Sequence, residues 1–295
     1  MEILLTGASG FLGRQVLPML LAEGHTVYSL SRKAAEKPSA LLVEVPGDLI
    51  EDGWISDVPW DRIDVVAHLA AAGVKASSRN WRDAFEVNVG GTMKLLSAMK
   101  RNATKNPRLV VTRSFYERVL HQEPELRNNA YIATKSVSTD LIRAWSRDYK
   151  GPVCFATLFQ IYGPGDDRGS VLTYAAHQLA AGQTAHFGSG VGVRDWLYVD
   201  DAASAIMALL EADTKGVSEW DIGSGRLASV RSVVEKMTVI ANVSRDSLDF
   251  SPSRDRADLA LHLAAEHLPP SWKPMVPVEE GLRRIWVAAK MEASQ

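Results

Sequence analysis

A glycine-rich stretch near the start of the chain limits its possible folds more than any other feature. Residues 6–13, TGASGFLG, follow a short apolar run and lead into helical spacing at 11–23. Gly7 allows a tight turn there, Gly10 lets the backbone approach a phosphate, and Gly13 lets the helix pack closely on a sheet. Free N–H groups at a helix N-terminus attract anions. We therefore predict a dinucleotide pyrophosphate site, with a purely structural turn as the alternative. The predicted contacts are Gly7, Ser9, Gly10, Phe11, Leu12 and Gly13.

Apolar runs alternate with amphipathic stretches through the first half of the chain. Runs typical of strands lie at 3–6, 26–31, 41–45, 65–69, 109–112 and 153–159. Helical spacing lies at 11–23, 81–100 and 130–149. This alternation predicts a parallel sheet with helices on both faces. The predicted fold is α/β, a Rossmann-type doubly wound parallel sheet.

The character of the sequence changes after residue 162, where glycine, proline and shorter elements become frequent. Later helices are expected at 171–181, 201–211, 230–241 and 278–289. We predict an NAD(P)-binding Rossmann domain over 1–162, to which 192–222 return. Residues 163–295 are predicted to form mainly a smaller substrate-binding C-terminal cap.

Composition excludes several functional classes for this chain of 295 residues. A net charge of −2 provides no basic surface for nucleic acid. No apolar run approaches the ~18 residues of a membrane-spanning helix, and the first residues lack the basic region of a signal peptide. We therefore expect a cytoplasmic protein without membrane contact. The single cysteine, Cys154, lies in an apolar run and is interpreted as a core thiol, so no cysteine-based metal site is predicted.

The end of the second predicted strand indicates which dinucleotide is bound. An acidic residue there bonds the ribose 2′-hydroxyl of NAD, whereas an arginine accommodates the 2′-phosphate of NADP. Residues 29–33 read SLSRK, and the first carboxylate comes only at Glu36. Arg32, assisted by Ser31 and Lys33, is the predicted phosphate clamp, and a solvated basic turn is the alternative. We predict NADPH as the preferred cofactor, with NAD as the second choice.

A tyrosine and a lysine one helical turn apart indicate acid–base chemistry. Tyr131 and Lys135 share one face of a predicted helix, where the alternative is a surface pair without function. A free tyrosine has a pKa of about 10, and both an ammonium and an oxidised nicotinamide lower it. Tyr131 is predicted to give a proton to a carbonyl oxygen while the cofactor delivers hydride. Ser114, at the end of the fifth strand, is predicted to hold that carbonyl, with Thr112 as the alternative.

Several stretches resemble the extended short-chain dehydrogenase/reductase family, whose members act on nucleotide sugars. Besides the glycine loop and the tyrosine–lysine pair, they are DL at 48–49, HLAA at 68–71, NVGGT at 88–92, YGPG at 162–165 and RDWLYVDD at 194–201. The resemblance covers nearly the whole chain. It implies a nicotinamide cofactor, a nucleotide-diphosphate-sugar substrate and a homodimer.

The resemblance also implies further site residues. Additional cofactor contacts would be Asp48, Leu49, Leu69, Ala70, Ala71 and Asn88, together with Tyr131 and Lys135. Substrate contacts would be Ser114, Gln160, Val171, Arg194 and Arg254. Arg194 would hold the diphosphate with its guanidinium fork, and a structural ion pair with Asp195 is the alternative. The implied dimer would use the helices at 81–100 and 130–149. Its apolar contacts would be Leu95, Met99, Leu141 and Trp145, which could equally face the protein's own sheet.

The stretch TRSFY at 112–116 and the short segment up to Tyr131 look closest to reductases of nucleotide-linked 4-keto-6-deoxyhexoses. The predicted function is NADPH-dependent reduction of such a keto group. A 4-epimerase with a retained NAD is the nearest alternative, and a redox-sensing dinucleotide-binding protein is the non-enzymatic one. In dehydratases, the resemblance places an Asp-Glu pair directly after the strand-five threonine. Arg113 and Ser114 stand there instead, so dehydration is not expected.

Overall fold

The computed structural model describes residues 1–32, 39–75, 80–120, 122–213, 215–254 and 262–294. These residues form the strands β1 (Glu2–Thr6), β2 (Thr26–Ser31), β3 (Leu42–Pro46), β4 (Val65–His68), β5 (Arg108–Ser114), β6 (Val153–Leu158), β7 (Gln160–Tyr162), β8 (Ala185–Phe187), β9 (Val193–Tyr198), β10 (Val217–Ile222), β11 (Leu227–Ser229) and β12 (Leu248–Phe250). They also form the helices α1 (Gly13–Ala22), α2 (Trp81–Phe85), α3 (Thr92–Asn102), α4 (Ala130–Ser146), α5 (Val171–Ala180), α6 (Val199–Glu211), α7 (Val230–Ala241) and α8 (Val278–Ala293).

The central sheet has seven strands in the order β10-β6-β5-β4-β1-β2-β3. Neighbouring strands from β3 to β6 pair in parallel. β2 and β3 follow β1 on one side of the sheet, whereas β5 and β6 follow β4 on the other side. The strand order therefore reverses between β1 and β4. Ligands of such sheets bind at the carboxyl ends of the strands beside this reversal. The predicted α/β Rossmann-type fold is confirmed.

Continuous apolar runs form the strands at the middle of this sheet. Ile3, Leu4 and Leu5 of β1 are fully buried, and so are Val66 and Ala67 of β4. A parallel sheet covered by helices on both faces requires apolar side chains on both faces of its central strands. This requirement explains why the runs at 3–6 and 65–69 predict buried strands.

The long helix predicted at 81–100 is interrupted in the structure. A π-helical turn, Glu86–Gly91, joins α2 to α3, and Asn80 caps α2 by accepting a hydrogen bond from the Asp83 amide. Such π turns are rare and concentrate at functional sites. The interruption places Asn88 within the turn.

Several strands that carry polar residues were not predicted from the sequence. β10 completes the central sheet although it contains Glu219. β9, which contains Arg194 and Asp195, forms a smaller sheet with β7 and β11. Charged residues within these short runs hide the alternation on which strand prediction depends. The third sheet pairs β8 with β12.

The chain divides into two compact units. The first comprises Met1–Leu158 and Ala203–Trp220, and the second comprises Phe159–Ala202 and Asp221–Gln295. No helix in the described ranges is both long enough and apolar enough to cross a membrane.

The core of the first unit contains side chains that the dimer prediction placed at an interface. Leu95 and Met99 of α3 are fully buried there, and Trp145 of α4 packs against the same cluster. These residues therefore face the protein's own sheet. Cys154 of β6 is also buried, as predicted, and burial raises the pKa of its thiol to about 11.

Candidate active site

The glycine loop crosses the end of β4 at a distance that only glycine permits. Gly7 has a φ of +81°, and a Cβ there would lie 2.6 Å from the backbone nitrogen of Ala70. At the start of α1, a Cβ on Gly13 would collide with the carbonyl oxygen of Gly7. The loop is closed by a 3.0 Å hydrogen bond from the Gly10 amide to the same oxygen. The sequence thus folds into a tight cradle at the end of β1.

The N-terminus of α1 fits an anionic group. No side chain among the described residues caps this helix at Leu12, and the amides of Arg14 and Gln15 donate to the carbonyl oxygens of Gly10 and Leu12. Ser9 and Gly10 are exposed, whereas Phe11 is half-buried and Leu12 is buried. A dinucleotide pyrophosphate placed here would receive backbone N–H groups and the favourable end of the helix dipole.

Arg32 follows β2, at the predicted phosphate clamp. Its side chain is 79% exposed, and its guanidinium lies 3.6 Å from the carboxylate of Asp48. Ser31 is half-buried at the end of the strand. Lys33, the other predicted helper, lies outside the described residues. Leu49, beside Asp48, is buried in the core of the first unit.

A buried histidine ties the end of β4 to the elements around it. His68 Nδ1 lies 2.7 Å from Thr6 Oγ1, and its Nε2 lies 2.9 Å from Thr92 Oγ1. Thr6 Oγ1 also accepts a 3.3 Å hydrogen bond from the amide of Ala70. Burial, followed by the charge of Lys135, lowers the pKa of His68 to about 3. The imidazole is therefore neutral and links β1, β4 and α3. The residues that follow it, Leu69, Ala70 and Ala71, are half-buried.

Asn88 in the π-helical turn clamps two neighbouring segments. Its side-chain oxygen accepts a 2.8 Å bond from the Ala72 amide, and its nitrogen donates to the Ala72 carbonyl at 3.1 Å. The same nitrogen donates to Thr134 Oγ1 at 2.9 Å. Asn88 therefore holds the segment after β4 against α4, and this arrangement positions Tyr131 and Lys135.

The predicted tyrosine–lysine pair lies in the first turns of α4. Asn129 caps the helix by accepting a hydrogen bond from the Tyr131 amide at 3.1 Å. Tyr131 is half-buried, whereas Lys135 is only 4% exposed and donates from Nζ to the carbonyl oxygen of Thr112 at 2.6 Å. Burial lowers the pKa of Lys135, and the charge of Glu117 partly opposes this effect. The structure thus brings α4 to the end of β5.

Both candidate hydroxyl groups lie buried at the end of β5. Thr112 Oγ1 donates to the carbonyl oxygen of His68 at 3.5 Å. Ser114 Oγ accepts from the Tyr116 amide at 3.4 Å, and the Ser114 amide donates to Glu117 Oε1 at 2.8 Å. These reciprocal bonds form a capping box at the 3₁₀ helix Phe115–Arg118. Glu117 was not among the residues predicted from the sequence, although a serine followed three residues later by glutamate is the recognised signature of such a box.

Arg113 belongs to a buried polar cluster. Its Nε donates to Thr157 Oγ1 at 2.7 Å, and its Nη2 donates to Glu219 at 2.7 Å. Glu219 also pairs with Arg143 of α4, and both arginines lie over the ring of Phe155. Burial lowers the pKa of Arg113, with Glu219 opposing it. This cluster joins β5, β6, β10 and α4.

The remaining predicted substrate residues lie in the second unit. Gln160 is half-buried on β7, and Val171 is half-buried as the first residue of α5. Arg194 on β9 is almost completely buried and donates to the carbonyl oxygen of Val193 at 2.7 Å. Arg254 ends the 3₁₀ helix Pro252–Arg254, and its side chain lies outside the described part of the structure.

Asp195 does not pair with Arg194 in the structure. Its carboxylate accepts two 2.6 Å bonds from Ser224, through the amide and Oγ. It also accepts 2.9 Å bonds from the amides of Gly225 and Ala265. Asp195 is therefore a buried anchor for two chain segments, and the alternative of a structural ion pair with Arg194 is wrong.

Comparison with known proteins identifies the family. Residues 3–223 match the NAD dependent epimerase/dehydratase family. A dTDP-glucose 4,6-dehydratase from Mycolicibacterium smegmatis is 27% identical over 287 residues, which cover 90% of this chain and 85% of the relative.

Two solved structures share the whole fold. RMD from Pseudomonas aeruginosa, complexed with NADPH, has a TM-score of 0.79 at 25% identity and covers 99% of both chains. The UDP-glucose 4-epimerase of Thermus thermophilus, complexed with NAD, has a TM-score of 0.78 at 24% identity and covers 98% of this chain and 99% of the other. The match over 3–223 agrees with the glycine cradle and with the tyrosine and lysine on α4. The chain belongs to the NAD dependent epimerase/dehydratase family, whose members bind a nicotinamide dinucleotide and act on nucleotide sugars.

Proposed function

We propose that this protein is an NADPH-dependent reductase of the keto group of a nucleotide-diphosphate 4-keto-6-deoxysugar. The observation that carries the proposal is the buried ammonium of Lys135, bound to Thr112 at the end of β5 and one helical turn from Tyr131. In a sheet of this topology, ligands bind at the carboxyl ends of the strands. The same strand end carries Ser114.

Tyr131, Lys135 and Ser114 each have one role in the proposed reduction. A bound nicotinamide would supply the hydride to the carbonyl carbon. Tyr131 gives its phenolic proton to the carbonyl oxygen, so the ketone becomes an alcohol. The Lys135 ammonium favours the phenolate that Tyr131 becomes and thereby lowers the pKa of Tyr131. Ser114 holds the carbonyl oxygen through its hydroxyl, and Thr112 is the alternative for this role.

The charge at the end of β2 supports NADPH as the cofactor. Arg32 is largely exposed, and its contact with Asp48 at 3.6 Å is long for an ion pair. Such a pair contributes about 0–1 kcal/mol, so a 2′-phosphate can replace it at little cost. The NADPH in the related RMD structure is compatible with this choice.

The residues after Thr112 favour reduction over dehydration. Arg113 and Ser114 stand where the resemblance places the Asp-Glu pair of dehydratases. Arg113 is bound to Thr157 and Glu219, and a guanidinium stays protonated in proteins. It therefore supplies neither the acid nor the base that elimination of water requires.

We assign the substrate contacts outside the first unit to four residues. Arg194 is the proposed ligand of the diphosphate, because an arginine fork matches phosphate oxygens. The other three proposed contacts are Gln160, Val171 and Arg254.

A panel of nucleotide-linked 4-keto-6-deoxysugars, incubated with purified protein and NADPH, tests the function. A reductase oxidises one NADPH for each alcohol formed. The absorbance of the cofactor measures the NADPH consumed, and the product yield measures the alcohol formed. The alternative 4-epimerase with a retained NAD would convert a nucleotide sugar without net consumption of NADPH. Absence of NADPH oxidation with every ketosugar would reject the reductase.

A further inference from the structure

Glu117 is a charged residue at the candidate active site to which the proposed reaction assigns no role. It is half-buried in the 3₁₀ helix Phe115–Arg118, directly after β5. Its Oε1 accepts a hydrogen bond of 2.8 Å from the amide of Ser114. The carboxylate is thereby fixed against the end of the strand.

Lys135 is bound to the same strand end by its own hydrogen bond. Its Nζ donates to the carbonyl oxygen of Thr112 at 2.6 Å. Thr112 and Ser114 are two residues apart, so one short segment anchors both the ammonium and the carboxylate of Glu117. A buried ammonium is costly unless an opposite charge compensates it.

Within the described ranges, the titratable groups on β4, α4 and β5 and their partners do not provide this compensation. His68 on β4 is neutral, and Tyr131 precedes Lys135 on α4. Arg113 on β5 is itself a cation, and its carboxylate partner Glu219 is shared with Arg143.

Among the described residues, Glu117 is the acidic group whose charge opposes the effect of burial on the pKa of Lys135. Its charge also raises the pKa of Arg113, after the larger effects of burial and of Glu219.

We propose that Glu117 is the counter-charge of Lys135, a positioning residue that keeps the buried ammonium protonated and fixes the strand end that carries Ser114. The inference rests on the proposed function in one respect, namely that Lys135 acts on Tyr131. Without the carboxylate, Lys135 would lose its proton at a lower pH, and Tyr131 would lose the charge that favours its phenolate.

A double-mutant cycle on the protein without substrate tests the pairing directly. Glu117→Gln keeps an oxygen that can accept from Ser114 and removes only the charge. We expect Glu117→Gln to lower the Tm by about 2 °C in the wild-type protein and by much less in a Lys135→Met background, where only the weaker interaction with Arg113 is lost. Equal losses in both backgrounds would overturn the pairing. Glu125→Gln removes an exposed carboxylate nearby and serves as the control, with no change expected in either background.

The pH dependence of NADPH oxidation tests the consequence for Tyr131. Activity requires a protonated Lys135, so it falls as the pH rises through the pKa of that lysine. In Glu117→Gln the alkaline limb of kcat/KM should move by roughly 1 pH unit to lower pH, and Glu117→Asp should restore most of the wild-type profile. An unmoved limb in Glu117→Gln would refute the role of the charge.

The two tests separate failure of the inference from failure of the proposed function. If no ketosugar leads the wild-type protein to oxidise NADPH, the reductase assignment fails. The double-mutant cycle of Tm values still decides whether Glu117 and Lys135 are paired, because it needs neither substrate nor cofactor.

Discussion

The ammonium of Lys135 is bound to the backbone carbonyl of Thr112 at 2.6 Å. This bond attaches α4 to the end of β5, so the orientation of Tyr131, one turn earlier, depends on the same contact. Asn129 and Asn88 add two further restraints, at the cap of α4 and on Thr134. The arrangement holds Tyr131, the proposed proton donor, in place before any substrate binds.

Replacement of Tyr131 by phenylalanine removes the proposed proton donor. We expect Tyr131→Phe to bind NADPH with wild-type affinity, measured by cofactor fluorescence. Turnover should fall by at least about 10²-fold, because general acid catalysis contributes that much. Tyr28→Phe, which removes a hydroxyl bound to Glu2 at the opposite end of β1, is the matched control. Near-normal turnover of Tyr131→Phe would reject the assignment.

Reversal of the charge at Arg32 should change the cofactor preference. In Arg32→Asp, a carboxylate replaces the proposed phosphate clamp and would repel the 2′-phosphate of NADPH. We expect the ratio of kcat/KM for NADPH over NADH to fall by at least about 10-fold, which corresponds to about 1.4 kcal/mol. Arg101→Asp, an exposed charge reversal near the end of α3, should leave the ratio unchanged. An unaltered ratio in Arg32→Asp would show that another group distinguishes the 2′-phosphate of NADPH from the 2′-hydroxyl of NADH.

The expected homodimer requires an exposed apolar surface, and the structure locates one on α2. Trp81 and Phe85 are 56% and 58% exposed and lie one turn apart, whereas Leu95 and Met99 are buried in the core. We predict that wild-type protein sediments as a dimer at micromolar concentration and that Phe85→Glu sediments as a monomer. Val239→Glu, at an exposed position of α7, should remain dimeric. A monomeric wild-type protein would contradict the predicted dimer.

The sequence could predict the parts of the site that depend on short segments of chain. The glycine cradle is recognisable from the spacing of Gly7, Gly10 and Gly13 between a strand and a helix, although the steric contact of Gly7 with Ala70 is made with a distant strand end. The Tyr131–Lys135 pair depends on helical spacing. For the same reason the α/β fold could be predicted from alternating apolar runs.

Features that depend on distant side chains could not be predicted in this way. The cluster of Arg113 with Glu219 joins strands that are far apart in sequence, and β10 was not predicted. The burial of Leu95 and Met99 depends on which face of α3 meets the sheet, and an amphipathic pattern leaves that choice open. Glu117 is an intermediate case, because the serine–glutamate spacing of its capping box can be recognised in the sequence, whereas the effect of its charge on the pKa of Lys135 cannot.

Among the described residues, the candidate site contains few groups for chemistry beyond hydride and proton transfer. Elimination of water, or epimerisation beside a ketone, requires an additional acid and base. Arg113 stays protonated in its cluster, and Gln160 has no titratable proton. Cys154 is fully buried, and its pKa is raised to about 11. Glu117 is bound to the Ser114 amide and is proposed to compensate Lys135.

We therefore predict that the protein neither dehydrates a nucleotide-linked hexose nor exchanges the hydrogens on the carbons beside the ketone of a ketosugar. Proton NMR in deuterated buffer measures both reactions, first without NADPH and then with it. The expected spectra show no loss of signal at those carbons, and a new signal from the reduced carbon only when NADPH is present. Deuterium at the neighbouring carbons would reveal an acid–base pair in the site. Glu117→Gln would then identify its source, because loss of exchange in that variant would make Glu117 the base, whereas persistent exchange would assign the base to another residue.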